Sequence, residues 1–240
     1  MIDGKRVLAV VPARGGSKGI KLKNLRTVRG RPLVALAGDV VRQVPEIDRA
    51  VVSTDHEEIA AVAEAAGLAA PFRRPPEISG DRIGDLEVLA HALSECETRD
   101  GVRYDIVAML QPTSPLRTPA NVSDAIRMLA TGGWDSVVTV SQTDLKAHPL
   151  KQFVLDGPKL GFFDESGRGV IARQQLTPLY HRNGIAYAMT RECIVDQKTI
   201  FGRKAGALVI PGHHVSIDTE WDIKMVEYVL AHGGPADADG

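Results

Sequence analysis

The chain has 240 residues, 44% hydrophobic and 5% aromatic, and its 29 Lys and Arg against 30 Asp and Glu give a formal net charge of −1. That length suits one α/β domain with a sizeable core, and the charge balance and scarce aromatics exclude a dedicated nucleic-acid surface with its basic stripe and stacking platform. Two cysteines, Cys96 and Cys193, are too few for a metal cluster or a disulfide framework and read as reduced thiols.

In chain order, the apolar run Val7 to Val11 between Lys5-Arg6 and Pro12 predicts a first strand buried on both faces. The start MIDGKR leads straight into it rather than into a signal peptide, and no apolar run approaches the roughly 18 residues of a membrane span. A cytoplasmic protein with no membrane partner is expected. Further strand-like runs are Ala50 to Val52, Ile106 to Leu110 and Val137 to Val140. Between them, Leu33 to Val41, His56 to Ala66, Leu86 to Leu93 and Val122 to Leu129 carry apolar residues at three- and four-residue spacing. That alternation predicts an α/β, Rossmann-like fold, a mostly parallel sheet with helices on both faces.

After Ser141 the texture changes to short β-like pieces, Gln152 to Leu155, Leu160 to Phe163, Ile185 to Met189 and Ala207 to Ile210, between Asp-Gly, Gly and Pro signals. The expected organisation is a core of residues 1–141 and 183–232, an inserted arm over 142–182 and a disordered tail over 233–240. Thr219 with Asp222 has capping-box spacing ahead of a last helix, Glu220 to Ala231. Asp55 and the Thr54–Glu57 pair suggest the same for the helix beginning at His56.

The charge is unevenly spread. Residues 1–31 hold nine Lys and Arg against the single acid Asp3. Several of these cations sit in Pro12-Ala13-Arg14-Gly15-Gly16-Ser17-Lys18-Gly19 and the following Lys21, Lys23 and Asn24, directly after the first strand. Loops at the carboxyl ends of parallel strands bind ligands. Glycines there let backbone N–H groups turn onto anionic oxygens, and Arg14, Lys18 and Lys23 offset negative charge, so a polyphosphate is the expected ligand. Neither G-x-x-x-x-G-K-[ST] nor G-x-G-x-x-G is present, which excludes a P-loop and the usual dinucleotide loop. The adjacent pair His213-His214, read as strand residues pointing to opposite faces, is not expected to bind metal.

The run Ala13 to Ile20 with Lys23-Asn24 resembles the nucleotide signature of the CMP-sialic acid (acylneuraminate) synthetases. Ser53-Thr54-Asp55, Arg74-Pro75, Leu110 to Arg117, His148 to Lys151, Arg173 to Leu176, Asn183-Gly184 and Ile217 to Glu220 follow in that family's order. The resemblance implies a Rossmann-like domain with a small dimerisation arm, and transfer of CMP from CTP to a nine-carbon 2-keto sugar acid with release of pyrophosphate. By that similarity Ala13, Arg14, Gly16, Ser17, Lys18, Lys23 and Asn24 would hold the CTP phosphates and ribose, with Arg74 near the cytosine. Gln111, Thr113, Asn183, Tyr187 and Phe201 would line the sugar pocket, and Lys151 and Arg173 would reach a partner's site in a homodimer. Arg14, Lys18, Lys23 and Asp218 would carry catalysis, Asp218 as the Mg²⁺ ligand.

Two departures stand out. The family commonly shows Asp-x-Asp where this chain has Ser216-Ile217-Asp218, and a hydroxyl is a poorer Mg²⁺ ligand than a carboxylate. Gly80 to Asp85 lacks the Ser-rich run often found near the cytosine. A CTP-binding sensor without transferase activity and an eight-carbon 3-deoxy-octulosonate cytidylyltransferase remain alternatives, as does a glycosyltransferase, although no D-x-D stands at a strand end.

Overall fold

The fold is described from a computed structural model covering residues 1–233. Strand β1 (Val7–Pro12) is followed by a two-residue ribbon, β2 (Thr27–Val28) and β3 (Arg31–Pro32), helix α1 (Leu33–Val41), β4 (Arg49–Ser53) and α2 (Glu57–Ala65). Next come α3 (Asp85–Asp100), β5 (Ile106–Met109), α4 (Pro119–Gly132) and β6 (Ser136–Gln142). The chain ends through β7 (Phe153–Asp156), β8 (Lys159–Phe162), β9 (Tyr180–Thr190), α5 (Arg191–Val195), β10 (Ala205–Val209) and α6 (Glu220–His232). Of the expected tail only Gly233 falls among the described residues.

Six strands form the central sheet in the order β10-β6-β9-β5-β1-β4. All pairings are parallel except those of β9, which runs antiparallel to both β5 and β6. Side chains of β1 alternate between two cores, as strand geometry requires. Val7, Ala9 and Val11 pack with Val34 and Val41 of α1, Ile59 of α2 and Ile126 of α4. Leu8 and Val10 pack on the opposite face with Leu89 and Leu93 of α3 and Cys193 of α5. Both cysteines are buried thiols.

Helix ends follow local chemistry. Thr118 accepts from the Asn121 N–H, the Asn121 side chain reaches back to the Thr118 N–H, and Pro119 opens α4. Thr219 and Asp222 form the expected box at α6. The α2 expectation fails: His56 is the cap residue and supplies no side-chain bond, and Asp55 bonds elsewhere. Helices α3 and α4 run longer than the apolar spacing, α3 through the buried Cys96 to Asp100 and α4 from Pro119 to Gly132. Strand β9 extends back to Tyr180, with Tyr180, His181 and Arg182 paired to Gln142, Ser141 and Val140 of β6. His213 and His214 lie in an irregular segment after β10, not on a strand.

Between β6 and β9 the chain leaves the sheet. Its β7–β8 hairpin turns at Gly157-Pro158 and exposes Phe153, Leu155, Leu160 and Phe163. Phe153 packs on Phe162 at 5.0 Å between ring centroids, and among the described residues no core cluster includes a residue of the hairpin. Isolated two-stranded hairpins are marginal in water.

Candidate active site

A cleft of about 580 Å³ opens where β1 and β5 end, walled by the loop after β1, the segment 74–88, the turn after β5 and residues 216–218. This is the edge at which parallel sheets present their loops to ligands. The post-β1 loop is tied down on both sides. Gly15 donates its N–H to Asp55 Oδ1 at 2.7 Å, and Asn24 donates Nδ2–H to the Arg14 carbonyl at 2.9 Å. Asp55 is therefore a brace for the loop rather than a helix cap.

Arg14, Lys18 and Lys23 converge on the cleft, as do Ser17 and Asn24. Each cation faces a carboxylate: Arg14 Nη1 and Lys18 Nζ both lie 2.7 Å from Asp81, and Lys23 Nζ lies 2.8 Å from Asp218 Oδ1. Lys18 first and Arg14 second hold the Asp81 carboxyl below the usual carboxylate range. Ala13 does not enter the cleft wall. It is fully buried and its N–H is spent on the Ser53 carbonyl, so its contribution is to anchor the loop. Gly16 is also absent from the lining, which passes from Arg14 to Ser17.

Arg74 is buried between sheet and cleft. It donates Nε–H to Ser53 Oγ at 3.1 Å and a second N–H to the Ser53 carbonyl. Burial lowers its guanidinium to about 10, with no carboxylate close enough for an ion pair among the described residues. Gln111 and Thr113 also line the cleft, on a turn stiffened by Arg117. The Arg117 guanidinium donates to the carbonyls of Gln111 and Gly184, and burial without a counter-charge lowers it to about 9.

The remaining expected sugar residues are more scattered. Asn183 is a core residue: its side-chain oxygen accepts from Thr139 Oγ1 at 2.7 Å and from the Ile185 N–H at 3.2 Å, and its Nδ2 donates to Ser141 Oγ at 3.1 Å. Tyr187 is buried in the α3-side core. Phe201 is half-exposed, with the Arg182 guanidinium 5.4 Å above its ring. Lys151 and Arg173 sit in the arm, outside the cleft wall. Sequence reasoning passed over Asp81, Asp85 and Arg182. Asp81 and Asp85 lay in view in the segment noted only for what it lacked, and the signal was two acids flanked by glycines ahead of a helix.

No group of three or more His, Cys, Asp or Glu that could hold a metal occurs among the described residues. Asp218 is one of three carboxylates beside the loop after β1, with Asp55 and Asp81, and Ser216 stands with it in the cleft wall. Magnesium is ordinarily held by one or two carboxylates together with substrate phosphates and water. The donor set therefore fits an ion that arrives on a polyphosphate and does not fit a resident protein cage.

Residues 8–229 match the cytidylyltransferase family. The chain is 31% identical over 227 residues to the CMP-N,N'-diacetyllegionaminic acid synthase of Legionella pneumophila, covering 94% of this chain and 96% of that one. It is 29% identical over 226 residues to the N-acylneuraminate cytidylyltransferase of Escherichia coli, covering 92% of this chain and 51% of that protein, so it spans about half of this longer relative. Among solved structures, a CMP:2-keto-3-deoxy-manno-octonic acid synthetase complexed with CTP superposes with a TM-score of 0.67 at 17% identity, covering 95% of this chain and 99% of that one. No helix among the described residues is long and apolar enough to cross a membrane.

Proposed function

The chain belongs to the cytidylyltransferase family, and from that premise we propose that it joins CMP from CTP to the anomeric hydroxyl of a nine-carbon 2-keto-3-deoxy sugar acid, releasing pyrophosphate. The observation that carries this reading is the convergence of Arg14, Lys18 and Lys23 on one cleft that Gln111 and Thr113 also line. The cations suit a triphosphate, and the amide and hydroxyl suit a polyhydroxylated acid.

In this reading the sugar hydroxyl attacks the α-phosphorus in line. A new O–P bond forms, the bond to the β-phosphate oxygen breaks, and the hydroxyl proton passes to solvent or a nearby base. Such transfer asks for positioning and charge neutralisation more than covalent help. Arg14 and Lys18 would exchange Asp81 for phosphate oxygens, and Lys23 would exchange Asp218. Asp218, so released, is the residue to hold a Mg²⁺ carried on CTP, which would add further charge neutralisation at the phosphates.

The apolar arm supports a homodimer in which Lys151 and Arg173 complete the partner's site. Buried reduced thiols and a nucleotide substrate support a cytoplasmic setting. The test is pyrophosphate release with CTP, Mg²⁺ and a panel of eight- and nine-carbon 2-keto sugar acids. Release with a nine-carbon acid is expected. Release with the eight-carbon acid alone would move the substrate class, and CTP binding without release would favour the sensor, a reading that Ser216 in the cleft wall keeps open.

A further inference from the structure

The turn between β5 and α4 is a junction. Ser114 donates Oγ–H to the Asn183 carbonyl of β9 at 2.8 Å, and the Ile217 N–H, one residue before Asp218, donates to the Thr113 carbonyl at 2.8 Å. Leu116 packs on the small core that holds Ile20, Ile217 and Ile223. The same turn carries Gln111 and Thr113 into the cleft wall. A shift of the turn therefore moves the cleft wall with it.

Arg117 fixes the turn from outside the cleft. Its Nη2 donates to the Gln111 carbonyl, earlier in the same turn, and to the Gly184 carbonyl of β9, the latter at 3.1 Å. The residue is 5% exposed, no carboxylate pairs with it among the described residues, and its Nε is buried with no partner. Burying a guanidinium without a counter-charge, with one N–H lacking an acceptor, is costly. What the arginine contributes against that cost is a bridge from the turn to β9.

Gln111 is held at both ends by this bridge. Its carbonyl is bound by Arg117, and its side chain lies over Gly184, where φ is +70° and a Cβ would stand 2.7 Å from Gln111 Oε1. We propose that Arg117 is a positioning residue for the sugar side of the reaction, touching no substrate and clamping the Gln111 backbone to β9 so that the amide stands at a fixed place in the cleft. Misplacing a substrate contact by about 1 Å can cost about 10²-fold in rate, so the clamp matters well beyond its own hydrogen bonds. The inference rests on the reading of Gln111 as a sugar contact and adds to it a residue that the substrate does not reach.

The test compares Arg117→Met, which keeps an apolar stem and no donor, with Arg117→Lys, whose ammonium can donate to both carbonyls. Steady-state pyrophosphate release is measured over N-acetylneuraminic acid and N,N'-diacetyllegionaminic acid at saturating CTP, and CTP binding by calorimetry. Arg117→Met should raise KM for the acid about 10- to 100-fold while CTP affinity changes less than about threefold. Arg117→Lys should recover most of the loss. A merely structural role would weaken CTP and acid alike, in step with the melting temperature.

A double-mutant cycle with Gln111→Ala reads whether the effect runs through that side chain. Arg117→Met should add little to the KM defect of a chain already without the amide. Should Arg117→Met fail to fold, Arg117→Gln carries the cycle, since its shorter amide cannot reach both carbonyls. Additive effects, equal loss of CTP and acid, or an Arg117→Lys no better than Arg117→Met would overturn the proposal. If the wild-type protein binds CTP but releases no pyrophosphate with any acid of the panel, the transferase reading falls, and titration of the two acids onto CTP-bound protein runs the same cycle on affinity. No binding of either acid there would overturn the proposal as well.

Discussion

Lys23 and Asp218, 195 positions apart in the chain, meet at 2.8 Å across the mouth of the cleft. The contact joins the loop after β1 to the segment before α6, beside the packing of Ile20 on Ile217 that links the same two segments. The lysine side chain is 18% exposed and the aspartate 75%, which leaves the carboxylate facing solvent and free to exchange partners.

Lys23→Ala and Lys18→Ala should each lower turnover with CTP by about 10²–10³, the usual cost of removing one well-placed charge from such a site. Steady-state pyrophosphate release measures it. Near wild-type turnover in both variants would remove the phosphate loop from the mechanism.

Asp81 occupies Arg14 and Lys18 at once, as a phosphate would. Asp81→Asn removes that competing charge and should tighten CTP binding about two- to tenfold, in keeping with the small worth of exposed pairs. The gain should shrink at high salt, since exposed charges are screened. Titration at two ionic strengths reads both effects, and weaker CTP binding in the variant would mean that Asp81 organises the loop instead.

Gly184 has a φ of +70°, and a Cβ there would stand 2.5 Å from Ser114 Oγ and 2.7 Å from Gln111 Oε1. Gly184→Ala should displace Gln111 from the cleft wall, raise KM for the sugar acid by about tenfold or more, and lower the melting temperature by a few degrees. KM for CTP should change much less. A selective effect on CTP would place Gln111 at the nucleotide rather than the sugar.

Glu97 accepts from Arg191 at 2.9 and 3.0 Å and from the Tyr104 N–H at 3.1 Å. Burial alone would raise its carboxyl, but these donors outweigh burial and hold it below 4.5. A carboxylate depressed in the folded state contributes stability above its unfolded value and loses it as pH falls through the folded one. Glu97→Gln should therefore cost about 2 kcal/mol near pH 7. The gap to wild type should close progressively as pH drops below about 4.5, followed by denaturant unfolding across that range.

The exposed apolar hairpin supplies a prediction about assembly. Leu155→Asp with Phe163→Asp should convert a dimer to single chains in analytical ultracentrifugation and remove activity, with the melting of the core domain changed little. A wild-type protein that sediments as a single chain would exclude the dimer.

The strand–helix alternation was legible because continuous apolar runs and period-3.6 apolar spacing are written in the chain, while the structure divides the first run, Val7, Ala9 and Val11 facing one core and Leu8 and Val10 the other. The basic loop was legible too, since its glycines and cations are contiguous, and the structure brings Arg14, Lys18 and Lys23 to one cleft. Sequence alone thus determined an α/β sheet with a basic loop at its first strand and, through the order of its motifs, the family. Tertiary structure decided what is not local. It spent Asn183 on Thr139 and Ser141, turned Asp55 from a cap into a brace on Gly15, and set Asp81 and Asp218 against cations far away in the chain. A side chain's role depends on which partner reaches it first, and that is a matter of distance in space rather than along the chain.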